Sequence, residues 1–263
     1  MAVWKDEEDR KSLKEFLDEK SARYNRRSFI ARDPVQVPHQ FSNPEDIEIA
    51  AFLTATIAWG RKETIIASAQ KLVSRMTGGP REFLVNADDG DLNRFLPFVH
   101  RTFNGIDCVY FLRSLRAIYR HHGGLRQVFE KSYLDGGEIT LSIRYFREIF
   151  FGQGEPGRTA KHLPDPAKNA SSKRLNLFLR WMVRRDANGV DFGLWDRIPM
   201  HGLYIPLDVH SGRVARRLGL LERKKDDWKA VTELTHRLRM LDPEDPVKYD
   251  YALYGLGAFE RWY

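Results

Sequence analysis

Apolar positions in this chain recur at intervals of three and four residues far more often than at intervals of two. In residues 64–77, Ile65, Ala69, Leu72, Val73 and Met76 fall on one helical face. The same spacing joins Cys108, Phe111, Leu112, Leu115, Ile118 and Tyr119 in residues 107–121. Leu175, Phe178, Leu179 and Met182 make a third stripe, and Val231, Leu234, Thr235, Leu238 and Leu241 a fourth. Residues 47–59 are apolar all round, which predicts a central helix buried on every side. The nearest candidate for a period-two strand is Glu138 to Tyr145, and it reads equally as a helix start. Breakers separate the segments at Gly78-Gly79-Pro80, His122-Gly123-Gly124, Gly136-Gly137, Ala187-Asn188-Gly189 and Ile198-Pro199. Residues 152–172 lack apolar periodicity, and a loop of that length in a compact domain is often functional or mobile. There is no internal repeat, and the pattern predicts an all-α fold.

Composition narrows the class. At 263 residues the chain can bury a sizeable core, and 42% apolar with 12% aromatic residues excludes a disordered polycation. The longest uncharged apolar run, Ile49 to Gly60, falls well short of the ~20 residues a membrane span needs. The start, Met1 to Glu8, lacks the apolar segment of a secretory signal. A lone cysteine, Cys108, excludes an internal disulfide, a four-thiolate zinc site and a cysteine-held iron–sulfur cluster. The histidines, His121-His122 included, have no carboxylate at ligand spacing, so no metal site and no cofactor are expected. The expectation is a cytoplasmic, nucleoid-associated protein without a membrane partner.

The formal charge of +7 is unevenly spread. Residues 161–225 hold 14 Lys or Arg against 6 Asp or Glu, which leaves the remainder of the chain slightly negative. Such clustering suits a polyanion-binding face, and it equally suits a solvated helix surface rich in arginine.

The chemistry concentrates in Ile205 to Leu220. Pro206 holds the chain extended before Asp208, which stands where a helix N-cap belongs. Val214, Leu218 and Leu221 point to a core, while Arg213, Arg216 and Arg217 share a basic face. On these residues alone, a capping aspartate with solvated arginines accounts for the segment.

This stretch resembles the signature of the helix-hairpin-helix base-excision DNA glycosylases, in which V-D-x-H leads a helix carrying R-V-x-x-R-L. Asp208 and His210 match the aspartate essential for excision and the phosphate-contacting histidine. The glycine-rich hairpin that bears the lysine nucleophile in most members is absent: residues 184–197, RRDANGVDFGLWDR, contain no lysine. The archaeal GO glycosylases replace that hairpin with a longer segment, and their lysine opens an apolar helix upstream of I-P-V-D. Ser171 to Arg180 followed by Ile205-Pro206-Leu207-Asp208 is similar, with Lys173 at the start of the helix. The helix 47–59 with Gly60-Arg61-Lys62 resembles the superfamily's opening helices, and Asp245 to Gly257 its closing helix. The chain also resembles an uncharacterised bacterial family with a D-P-V-x-V-P-H element, here Asp33 to His39.

The resemblance implies two helical subdomains flanking a DNA-binding cleft, a helical barrel over 47–200 and a second unit of 1–46 with 201–263. It implies a DNA glycosylase with AP lyase activity, removing an oxidised purine such as 8-oxoguanine from double-stranded DNA as a monomer without an obligate protein partner. Lys173 is then the nucleophile that forms a Schiff base, with Lys161 and Lys168 as competitors. Its expected position, after a Ser171-Ser172 cap and among Arg174, Arg180, Arg184 and Arg185, opposes the protonated amine through the helix dipole and like charge. Asp208 stabilises charge developing on the sugar and handles protons. His210, Arg213, Arg174, Arg180 and Arg217 are the expected DNA contacts, and Trp59, Trp181 and Asp245 the expected base pocket. Asp242, Asp245 and Asp250 also read as caps of the last helices. The alternative is a non-catalytic nucleic-acid-binding protein that retains the fold. A membrane-surface or RNA-associated role is disfavoured, because neither a basic amphipathic tail nor an RNA-recognition motif is present.

Overall fold

A computed structural model of the chain describes Trp4 and residues 6–263. Residues 1–3 and 5, part of the expected 1–46 segment, lie outside the described residues. In chain order the helices are α1 (Glu7–Tyr24), α2 (Arg27–Ile30), α3 (Pro44–Thr56), α4 (Lys62–Val73), α5 (Pro80–Asn86), α6 (Asp89–Asn93), α7 (Gly105–His121), α8 (Gly124–Gly136), α9 (Ile139–Phe151), α10 (Lys173–Val183), α11 (Val209–Arg217), α12 (Trp228–Leu241) and α13 (Tyr249–Ala258). Strand structure among the described residues is one antiparallel pair, β1 (Val99–His100) with β2 (Phe103–Asn104). The protein is all-α.

The ambiguous segment at Glu138 to Tyr145 is helical, not a strand. Ile139, Ser142, Ile143, Phe146 and Phe150 are buried at helical spacing, so the three-and-four period wins over alternation. The aperiodic stretch 152–172 is not structureless either. It holds two short 3-10 turns, Gly157–His162 and Pro166–Lys168, and buries Thr159 and His162.

The chain forms two compact units, Ile30–Pro164 and the discontinuous pair of residues up to Phe29 with Asp165–Tyr263. These boundaries differ from the expected 47–200 against 1–46 with 201–263. The physical reason is ionic: Arg180 on α10 and Arg184, the residue that ends it, pair with Asp250 on α13 and with Asp245 just before it. Residues 165–200 are thereby fastened to the C-terminal helices.

In the unit Ile30–Pro164, α3 starts at Asn43, whose side chain accepts from the Glu45 and Asp46 N–H groups, with Pro44 in its first turn. Every residue from Ile47 to Thr56 is buried, as the all-round apolar pattern predicts. Phe52 lies within 6.0 Å, ring to ring, of Phe111, Phe146 and Phe150, which come from α7 and α9. Glu48, a charge inside this core, accepts a 2.9 Å hydrogen bond from the Tyr119 hydroxyl.

In the other unit, Leu207, Val214, Val231, Leu234, Leu253 and Leu256 belong to one core cluster drawn from α11, α12, α13 and the segment before α11. Two glycines let α13 approach its neighbours. A Cβ at Gly255 would fall 2.1 Å from the Tyr24 ring of α1, and one at Gly257 2.9 Å from the His210 Cβ of α11. Gly255→Ala therefore overpacks the contact between α1 and α13, and urea unfolding should show a loss of about 1–3 kcal/mol. An unchanged midpoint would mean that α1 can move away from α13 at no cost.

Candidate active site

The site is built where the first turns of α10 and α11 meet. The Ile205 N–H donates to the Thr235 hydroxyl on α12 at 3.1 Å, and the Ile205 carbonyl accepts from the Asn176 amide at 3.4 Å. Asn176 lies one turn into α10 from Lys173, so this bond fastens the segment leading to Asp208 beside the start of α10. Asp208 is extended, with φ −124° and ψ −177°, and its Oδ1 caps α11 by accepting from the Ser211 N–H at 2.9 Å. Its Oδ2 is 3.2 Å from the Lys173 Nζ. The aspartate side chain is 13% exposed and the lysine 32%, so the pair is accessible from solvent without being surrounded by it.

Lys173 is the first residue of α10, but the serine cap expected before it does not form. Ser172 is left-handed at φ 48°, and its hydroxyl turns back to the Ala170 carbonyl at 3.3 Å. Burial works against ionisation of Asp208, yet the Lys173 charge and the Ser211 N–H outweigh it and hold the carboxyl below its ordinary value.

Behind the pair lies a buried ionic cluster. Arg180 is 4% exposed; its Nε donates to Asp191 at 3.2 Å, and its NH1 pairs closely with Asp250. Arg184, one turn on, reaches Asp191 at 3.0 Å, Asp186 at 2.9 Å and Asp245 at 2.9 Å. Both guanidinium groups stand over the Tyr251 ring, at 4.3 and 5.5 Å. Burial, reinforced by the Asp208 and Asp191 charges, pushes Asp250 up to about 7 against the pull of Arg180 and Lys173.

Three expected site residues are therefore corrected. Arg180 is not a surface DNA contact, because its charge is spent on Asp191 and Asp250 inside the protein. Trp181 is completely buried in the core and offers no face to a flipped base. Asp245 is held by Arg184, so its carboxylate is already engaged. Nor does Asp250 cap a helix: it sits within α13 as the partner of Arg180.

The other expected contacts are more open. Arg213 and Arg217 are exposed on α11 and form no ion pair among the described residues; each guanidinium lies over a terminal aromatic ring, Tyr263 at 5.0 Å and Trp262 at 4.7 Å. Arg216 between them is neutralised by Asp226 at 2.5 Å. His210 is half-buried against Tyr254 and Tyr263, and its Nδ1 has no hydrogen-bond partner among the described residues. Arg174 is half-buried, and burial pushes it down to about 10, which leaves it charged at neutral pH. Trp59 belongs to the other unit, where it stacks on His162 at 5.9 Å and meets His100 edge-on at 5.2 Å. The competing lysines Lys161 and Lys168 are exposed residues of the preceding loop.

Sequence reasoning missed Asn176, Asp191, Ser211 and the role of Asp250. Asp250 carried one usable signal, a lone charge within the apolar run of the closing helix, which is tolerated only with a partner. The others had none, since their roles depend on contacts across 7 to 39 residues. Among the described residues there is no group of three or more metal-ligating side chains, and no helix long and apolar enough to cross a membrane.

Fold and site together define an all-α protein with a partly exposed lysine–aspartate pair at two helix N-termini, backed by buried ion pairs. Over residues 33–259 the chain matches the family described as protein of unknown function (DUF2400), and it belongs to that family. The match begins at Asp33, the first residue of the D-P-V-x-V-P-H element. No curated protein and no solved structure matches it.

The pair makes a signed prediction about stability. The Asp208 carboxyl is depressed in the folded state, so the unfolded chain binds more protons between the lowered and the ordinary value. Its stabilisation is complete above the ordinary aspartate value and is lost as the pH falls through the lowered one. Asn caps a helix as well as Asp, so Asp208→Asn isolates the charge and should cost about 1 kcal/mol or less for a partly exposed pair. The gap from wild type, read by urea unfolding, should shrink as the pH falls below about 5, where Asp250, pushed up to about 7, is already protonated. A gap that widened below about pH 5 would contradict the depressed carboxyl.

Proposed function

We propose that the protein is a base-excision DNA glycosylase with AP lyase activity, acting on an oxidised purine such as 8-oxoguanine in double-stranded DNA. The observation that carries this reading is the 3.2 Å approach of Lys173 Nζ to Asp208 Oδ2, at the positions that the helix-hairpin-helix resemblance assigns to nucleophile and aspartate. The arrangement of two helical subdomains flanking a DNA cleft, and action as a monomer near the nucleoid, are parts of the same proposal.

The chemistry follows from the groups present. Only a neutral amine attacks carbon, and Asp208 is placed to accept the proton that Lys173 must give up. The Lys173 nitrogen then bonds to the sugar C1′ as the C1′–base bond breaks, and the base leaves with the bonding pair and the proton that Asp208 had taken up, which restores the carboxylate. Loss of a second proton and ring opening give the imine, which promotes strand cleavage by β-elimination. The Asp208 carboxylate, fixed before the reaction, stabilises the positive charge that develops on the sugar. Arg213 and Arg217, unneutralised and held over aromatic rings, supply phosphate contacts with His210 and Arg174.

Borohydride reduction of the imine tests the reading. Incubation with an 8-oxoguanine duplex and borohydride should yield a covalent protein–DNA adduct that disappears in Lys173→Gln and persists in Lys168→Gln. No adduct across a panel of oxidised purines would leave a non-catalytic DNA-binding protein. In duplex titrations, Arg213→Gln and Arg217→Gln should each weaken binding uniformly across sequences and reduce the log–log salt slope by about 1. Unchanged slopes would remove these arginines from the interface.

A further inference from the structure

We propose that Asp250, acting through Ser211, is a positioning residue that fixes the Asp208 carboxylate opposite Lys173. The proposal rests on the lysine–aspartate reading above and names what holds its geometry.

Ser211 is completely buried and commits both of its donors. Its N–H goes to Asp208 Oδ1 at 2.9 Å, and its hydroxyl goes to Asp250 Oδ1 at 3.3 Å. The other Asp250 oxygen belongs to Arg180, which Asp191 holds from its Nε side at 3.2 Å. One carboxylate is thus divided between the first turn of α11 and the middle of α10. Lys173 and Arg180 are seven residues apart on α10, two turns along one face. The two helices whose first turns carry the pair are therefore referenced to a single buried group.

The anchor matters because an N-cap bond moves with the turn that donates it. Gly212 follows Ser211, and a glycine allows the start of a helix more conformational freedom than another residue would. A hydroxyl tied to the interior removes that freedom at the residue whose N–H holds Asp208. Without the tie, Asp208 Oδ1 loses part of its cap, and Oδ2 is no longer confined opposite Lys173. The charged groups around Asp208 and Asp250 are Lys173 and Arg180 from α10, His210 from α11, and Asp191. None of these is altered when the Ser211 hydroxyl alone is removed.

The test is a carboxyl-carbon NMR titration of Asp208 in the full chain, wild type against Ser211→Ala. Loosening the cap should move the Asp208 midpoint upward, toward the ordinary aspartate value, by about half a pH unit. Ser211→Cys, whose thiol is a weaker donor of similar size, should shift it in the same direction and serves if the alanine variant does not fold. A midpoint unchanged in the folded variant overturns the proposal. In borohydride trapping, Ser211→Ala should slow adduct formation about tenfold with duplex affinity unchanged. If wild type traps no lesion, the glycosylase reading fails, and the titration alone decides whether Ser211 and Asp250 position Asp208.

Discussion

Two buried guanidinium groups, Arg180 on α10 and Arg184 at its C-terminal end, constrain the path of the chain through this unit. Removing a charge from water costs several kcal/mol even after relaxation, so Arg180 and Arg184 can be buried only where carboxylates meet them. Those carboxylates arrive from separate places: Asp186 and Asp191 after α10, Asp245 before α13, and Asp250 within it. Satisfying both arginines fixes the path of the chain after α10 and its placement against α13. Taking away one arginine would leave its buried carboxylates short of a counter-charge, at a cost of about 3–5 kcal/mol. A buried ion pair is weak evidence of net stability, so its significance here is geometric: α10 has few other ways to sit.

The same constraint explains which parts of the fold were legible in the sequence. Helices with one apolar stripe, such as α4, α7, α10 and α12, announce themselves because burial of that stripe is local in sequence. The all-round apolar α3 was equally plain. The unit boundary was not legible, because it depends on pairs such as Arg180 with Asp250, 70 residues apart and unmarked by any spacing. The start of α10 was misread for a related reason. Ser171-Ser172 has the composition of a cap, but Ser172 takes a left-handed conformation and bonds to Ala170 instead. At the site, the Asp208 N-cap followed from Pro206 and the apolar periodicity, whereas Ser211 and Asn176 look like ordinary helix residues until their partners are known.

Charge needed the same resolution. The cations of residues 161–225 suggested one basic face, but the structure divides them by environment. Arg180 and Arg184 are neutralised in the interior, and Arg216 and Arg223 pair with Asp226 and Asp227. What remains outward on α11 is Arg213 and Arg217, held over aromatic rings and without an ion pair among the described residues. Clustered charge in a sequence therefore overstates the field available to a polyanion. The available part is smaller, and some of it lies on the helix that Asp208 caps.

The start of α10 violates three local preferences at one point. Ser172 occupies a left-handed conformation that suits glycine, its side chain does not cap the helix, and the next residue places a cation at the positive end of the dipole. The left-handed residue costs about 1–3 kcal/mol, the missing cap about 1 kcal/mol and the cation at the dipole about 0.3–1 kcal/mol, and substitution would relieve each. A surface lysine with no other task gains nothing from such a setting. The compensating interaction is with Asp208, itself bound by Ser211 and fastened by way of Asn176 and Ile205. Local rules are broken at sites where another requirement prevails, and the residue placed there is the lysine with a carboxylate 3.2 Å away. The strain at Ser172 and the lysine–aspartate pair thus meet at one point of the chain, the start of α10.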